Sequence, residues 1–122
     1  MRVLIADDNP AFRTFLRQTL EVERDLSVVG EAADAEEAVR LARQLKPDVL
    51  LLDIDLPGPD GLEAARPIKS WVPGLRVIVM LSEVDGEAYR EAALKDGADT
   101  FLPKGAPVWE IVSLIRLGLP VT

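Results

Sequence analysis

The run Val49-Leu50-Leu51-Leu52 is followed at once by Asp53. Consecutive apolar residues without polar alternation fit a strand buried on both faces, which marks the centre of a parallel sheet covered by helices on each side. Such a strand needs neighbours, and the chain supplies them. Arg2 to Ala6, Leu26 to Ala32, Leu75 to Leu81 and Ala98 to Leu102 are further short apolar runs, with Val49 to Leu52 as the most hydrophobic. A helix-like segment follows each run. Repeated β-α units of this size predict a three-layer α/β domain built on a parallel sheet.

The helices carry start and stop signals. Asn9 offers a cap, and Pro10 sits at the first helical position, where its missing N–H costs nothing. Phe12, Leu16, Thr19 and Leu20 then share one face. Asp34 to Glu37 reads as a capping box with aspartate at the cap. Ala38, Val39, Leu41, Ala42 and Leu45 continue that helix until Pro47 ends it. Pro57-Gly58-Pro59-Asp60-Gly61 is a turn-rich loop. A helix from about Leu62 to Trp71 holds Pro67 in its interior, which predicts a kink. Glu87 to Lys95 is the fourth helix, closed by Gly97, and Val108 to Leu117 is the last. With 122 residues and no internal linker, the chain reads as one domain over residues 1–118, with residues 119–122 as a tail or the start of a linker.

Composition narrows the chemistry. Cysteine is absent, which removes disulfides, thiolate metal sites and thiol catalysis, and histidine is absent too. A bound metal is then a hard cation held by oxygens, with magnesium the leading candidate. The formal net charge of −7, with lysines and arginines scattered singly, argues against direct nucleic-acid binding by this chain. No apolar run approaches membrane-spanning length and no signal peptide opens the sequence, so a cytoplasmic location without membrane contact is expected.

In an open α/β sheet the ligand crevice lies at the carboxyl ends of the strands. The strand ends here bring Asp7 and Asp8, Asp53, Ser82 and Lys104 to that edge. Crowded carboxylates are tolerable only with a bound cation or a retained proton. Asp8 and Asp53 are candidate magnesium ligands, with a backbone carbonyl near Asp55 and waters completing the shell. Asp53, at the end of the central strand, is the natural nucleophile toward phosphorus. Ser82 can donate to a phosphoryl oxygen. Lys104 can pair with another oxygen, or with Asp53 when no phosphate is present.

Asp7-Asp8, Asp53, Ser82, Phe101 and Lys104, with Leu56-Pro57-Gly58 and Asp60-Gly61 after the third strand, resemble the receiver domain of two-component response regulators over the whole chain. Gly97 to Ala106 is similar to the subfamily whose receivers precede a helix-turn-helix DNA-binding domain. The resemblance implies a flavodoxin-like (βα)5 fold, doubly wound, with strand order 2-1-3-4-5. It implies that Asp53 takes a phosphoryl group from a sensor histidine kinase, with Asp7 and Asp8 holding magnesium, Asp7 through water. It further implies a switch in which Ser82 moves toward the phosphate and Phe101 swings inward. The surface of the fourth helix, fifth strand and last helix is then re-sculpted to control an output domain or partner. In this reading the chain phosphorylates and dephosphorylates itself but is not a metabolic enzyme.

Some features depart from that pattern. Glu83 follows Ser82, where the family usually has a small residue. Asp55 is acidic where many members are apolar or carry an amide. Glu83 sustains the alternative of a phosphorylation-independent interaction module. Asp53-Ile54-Asp55 also resembles the nucleophile motif of haloacid-dehalogenase phosphatases, but that family places it on the first strand. In the last helix, Val108, Ile111, Val112, Ile115 and Leu119 form the expected core stripe. Leu114 and Leu117 lie off it and Trp109 at its edge, which predicts a surface for a second receiver or an output domain.

Overall fold

A computed structural model describes residues 1–56, 65–81 and 97–117. Among them, β1 (Arg2–Ala6), β2 (Ser27–Ala32), β3 (Val49–Asp53), β4 (Arg76–Leu81) and β5 (Thr100–Pro103) form one parallel sheet in the order 2-1-3-4-5. The helices are α1 (Pro10–Glu21), α2 (Ala35–Leu45), α3 (Ala65–Trp71) and a last helix (Val108–Leu117). The parallel sheet is that expected from the alternating segments, and its doubly wound order is that implied by the resemblance to receiver domains. The expected fourth helix, Glu87 to Lys95, lies outside the described residues. So do Ser82, Glu83, the Pro57 to Gly61 loop and the tail at 119–122.

Local signals act as the sequence suggests. Asn9 Oδ1 accepts hydrogen bonds from the Ala11 and Phe12 N–H groups at 2.9 and 3.1 Å, capping α1. Asp34 Oδ1 accepts from Glu37 N–H at 2.8 Å, and Glu37 Oε1 accepts in return from Ala33 N–H at 3.3 Å. Helix α2 ends one residue earlier than Pro47 alone requires. Lys46 turns into the left-handed region at φ 47° and donates its N–H to Ala42 O. β5 begins at Thr100 rather than Ala98, because Asp99 is used as a side-chain acceptor. Its Oδ2 takes the Val77 N–H at 2.7 Å, and both its oxygens take Lys69 Nζ at 2.7 Å.

Strand alternation divides the core in two. Leu4, Ala6, Leu50, Leu52, Val77 and Val79 point to the side covered by α2 and α3. Val3, Ile5, Val49, Leu51, Ile78, Met80 and Leu102 point to the side covered by α1 and the last helix. The ladder between β1 and β2 slips once: Val3 pairs with Val28 but Leu4 pairs with Gly30, so Val29 is skipped. A one-residue slip moves every later side chain to the opposite face. Gly30 and Ala32 therefore face α2, and Glu31 faces α1, where Arg13 and Arg17 pair with it at 3.2 and 2.7 Å.

Gly30 sits beneath Leu41 and Leu45 of α2. A Cβ there would stand 3.0 Å from Leu45 Cδ1 and 3.2 Å from Leu4 Cδ1. Gly30→Val should cost about 1–3 kcal/mol by overpacking, with Gly30→Ala at the low end, as read from urea unfolding.

The last helix corrects part of the expected stripe. Leu114 is buried along with Ile111, Val112 and Ile115, whereas Val108 is 47% exposed. Leu114 follows Ile111 by three residues and precedes Ile115 by one, so a wide stripe takes it in. Val108 occupies the first turn of the helix, where burial has not yet begun. Leu117, expected off the stripe, is 68% exposed, and Trp109, expected at its edge, is 59% exposed.

Candidate functional site

The same alternation that builds the core delivers the site. Continuing Val3-Ile5 by two residues gives Asp7, continuing Val49-Leu51 gives Asp53, and continuing Leu102 gives Lys104. All three leave the sheet on the α1 side. Asp53 is still a strand residue, paired in register with Met80, while Asp7 and Lys104 lie just beyond their strands. Lys104 is anchored by its own backbone, whose N–H donates to Leu81 O at 2.8 Å.

Lys104 Nζ stands 2.8 Å from Asp7 Oδ2 and 3.2 Å from Asp53 Oδ2. The ammonium is thus nearer Asp7 than Asp53, the partner that the sequence singled out. The Phe12 ring closes another side, its centroid 5.0 Å from Nζ, within cation–π range. Asp7 is 0% exposed and Asp53 2%. Asp8 and Asp55 are exposed, and the Asp55 N–H donates to Asp53 Oδ1 at 3.0 Å.

Burial holds the Asp53 carboxyl above its usual range. The Asp55 N–H opposes this, the Asp7 charge adds to it, and Lys104 opposes it again. For Lys104, burial works against the charged form, but the adjacent Asp7 and Asp53 carboxylates outweigh it and raise the ammonium's pKa.

Asp7 is fixed at almost every polar atom. Its N–H donates to Ala32 O at 2.9 Å, and its Oδ1 accepts from Asn9 N–H at 2.8 Å. Its carbonyl accepts from Arg13 Nη1 at 2.6 Å. Oδ2 differs: it is buried, and among the described residues no donor meets it in hydrogen-bonding geometry. Lys104 faces it as an ion pair, and a directed hydrogen bond is not completed. One oxygen each from Asp7, Asp8 and Asp53 lie within 4.8 Å of one another. An under-satisfied buried carboxylate oxygen beside two further carboxylates suits a hard divalent cation, so the residues present fit magnesium. Asp55 is not part of that trio; its side chain is exposed and its N–H serves Asp53.

Phe101 is half-buried and packs on the α2 and α3 side of the sheet, opposite the carboxylates. Two residues that the sequence did not single out for the site belong to its surroundings. Phe12 was legible only as a core position of α1. Arg13 carried a signal in retrospect, since Arg13 and Arg17 are spaced to meet one acceptor across α1.

Residues 3–116 match the family model described as the response regulator receiver domain. The chain belongs to that family. This receiver is 38% identical over 116 residues to the transcriptional regulatory protein LiaR of Bacillus subtilis (strain 168), a match covering 95% of this chain and 54% of LiaR. It spans about half the length of the curated relatives it matches. Among solved structures it is similar to the signal receiver domain of the putative response regulator NarL from Mycobacterium tuberculosis. That pair shows a TM-score of 0.87 and 37% identity, with 94% of this chain and 92% of the other covered. A response regulator from Burkholderia pseudomallei, solved with a phosphorylated aspartic acid, a calcium ion and citrate, superposes with a TM-score of 0.83. It is 31% identical, and the match covers 96% of this receiver and 67% of that chain.

Proposed function

We propose that this receiver accepts a phosphoryl group on Asp53 from the phosphohistidine of a sensor histidine kinase. The observation that carries the reading is the buried pair Asp7 and Asp53 sharing Lys104 at 2.8 and 3.2 Å. Asp53 is the nucleophile: a carboxylate oxygen forms the new P–O bond as the P–N bond to the kinase imidazole breaks. The electron pair of that bond returns to the imidazole nitrogen, which takes up a proton from solvent. Burial keeps the Asp53 carboxylate poorly solvated and so ready to bond. Its Oδ1 is oriented by the Asp55 N–H.

Asp7, Asp8 and Asp53, with the backbone carbonyl near Asp55, would hold the divalent ion, which when bound neutralises charge on the transferring phosphoryl group. Lys104 then turns from the carboxylates to a phosphoryl oxygen. Ser82 donates to another, and Phe101 moves inward as the switch partner. The related Burkholderia structure, with its phosphorylated aspartic acid and calcium ion, supports this chemistry by analogy. Hydrolysis of the acyl phosphate resets the receiver, which acts on itself and has no metabolic substrate.

The resulting change at the fourth helix, β5 and the last helix controls an output domain or partner, in keeping with relatives named as transcriptional regulators. Among the described residues, no helix is long and apolar enough to cross a membrane. The cytoplasm, where such kinases deliver phosphate, is the proposed site of action.

Incubation with acetyl phosphate and magnesium should add the mass of one phosphoryl group to the wild type and none to Asp53→Ala. A wild type that never gains mass, even with its cognate kinase, overturns the reading. A partner bound equally well by wild type and by Asp53→Asn, with and without acetyl phosphate, favours the phosphorylation-independent alternative.

A further inference from the structure

Arg13 lies in the second turn of α1, and its side chain is only 19% exposed. Its Nη1 donates to the Asp7 carbonyl at 2.6 Å, while its Nε reaches Glu31 Oε1 at 3.2 Å. The Glu31 side chain is in turn held by Arg17 Nε at 2.7 Å, and Arg17 Nη1 by Glu21 at 2.9 Å. A chain of alternating charge therefore runs along α1 from the acidic turn to the end of the helix. It exists because the slip in the β1–β2 ladder turns Glu31 toward α1.

The Asp7 carbonyl belongs to the peptide that joins Asp7 to Asp8. Asp8 is exposed, so no wall of packed side chains places its carboxylate. Its position follows from the orientation of that peptide. The Asp7 N–H fixes one side of the turn to β2, and the Arg13 guanidinium fixes the other.

We propose that Arg13 is a positioning residue for the divalent-cation site, clamping the Asp7–Asp8 peptide to Glu31 so that the two carboxylates are presented together. The inference rests on the metal-binding reading above. A guanidinium suits the task because its planar fork serves two acceptors at once; a lysine ammonium has no such fixed geometry. Groups that orient metal ligands from behind typically change affinity by about 10–100-fold when removed. Here the support acts through a backbone carbonyl, which places the effect at the lower end.

The test is a titration of the full chain with magnesium chloride, followed by amide proton–nitrogen NMR shifts of the Asp7 to Asn9 turn, with thermal unfolding measured alongside. Arg13→Met should raise the magnesium Kd about tenfold. Arg13→Lys should recover only part of the loss. Arg17→Met removes the other arginine from Glu31 without touching Asp7. It should lower thermal stability to a similar extent and leave the Kd unchanged.

A Kd for Arg13→Met within twofold of wild type overturns the proposal. So does an equal loss in Arg13→Met and Arg17→Met, which would mark general loosening of α1. If Arg13→Met does not fold, the decision passes to Arg13→Lys, for which a wild-type Kd is the overturning result. A wild type whose turn amides do not respond to magnesium refutes the metal-binding reading itself.

Discussion

Lys104→Met should destabilise the receiver by about 3 kcal/mol in the absence of divalent cations, lowering the unfolding midpoint by roughly 10 °C. Methionine retains most of the lysine stem, so little packing is lost. What disappears is the cation facing Asp7 at 2.8 Å and Asp53 at 3.2 Å, both of which are almost fully buried. Removing one member of a buried ionic group leaves the others uncompensated, and that penalty exceeds the net worth of the pairing itself.

The sign with pH follows from the raised lysine pKa. A folded-state pKa above the unfolded one contributes stability that is present below the unfolded value, 10.5, and is lost as pH rises through the folded value. The gap between wild type and Lys104→Met should therefore be wide at neutral pH and close in strong alkali. Magnesium should narrow it at neutral pH, because a divalent ion supplies the missing positive charge. Urea unfolding with and without magnesium measures both effects. A variant as stable as wild type without the ion would show that the two carboxylates do not depend on Lys104.

Asp53→Asn should have the opposite effect, stabilising the magnesium-free protein by about 1–2 kcal/mol at neutral pH. The amide keeps the size of the carboxylate, and its oxygen can still accept the Asp55 N–H. It removes a buried charge beside Asp7 and leaves Lys104 paired with Asp7 alone. Burial is the main reason that the Asp53 carboxyl sits above its usual value, with Asp7 adding to the shift against the pull of the Asp55 N–H and Lys104.

For a carboxyl raised in the folded state, stability is fully present below the unfolded pKa of 3.8 and is lost as pH rises through the folded value. The advantage of Asp53→Asn should thus be small near pH 4 and complete at neutral pH. Magnesium should shrink it by stabilising the wild type. Paired denaturation curves at the two pH values test this, and a gap independent of pH would mean that burial of Asp53 carries no such penalty. In the double variant Lys104→Met with Asp53→Asn, part of the loss from Lys104→Met should be recovered, since these neighbouring groups act as one unit.

The parallel sheet and its central strand were legible because Val49 to Leu52 is an unbroken apolar run that ends in Asp53, whereas the strand order was implied by the resemblance to receiver domains. Asp7, Asp53 and Lys104 could be placed on one edge because each follows such an apolar run. What the sequence did not yield depends on three-dimensional register. The slip that skips Val29 leaves no mark in composition, yet it decides that Glu31 meets Arg13 and Arg17. Leu114 was set outside the core stripe and Val108 inside it, because periodicity along a helix does not reveal where the sheet beneath it stops. The preference of Lys104 for Asp7 over Asp53 is a matter of tenths of an ångström, beyond the reach of spacing arguments.

β2 and β5 are the borders of this sheet, and both are poor templates for another chain. The skipped residue interrupts the regular ladder of β2 next to a charged Glu31, while β5 is four residues long and ends in Pro103, which has no N–H to offer. Strand-to-strand aggregation is blunted at each border. Two copies that meet in solution have instead the helical faces to use, where Trp109 and Leu117 leave apolar surface open to water.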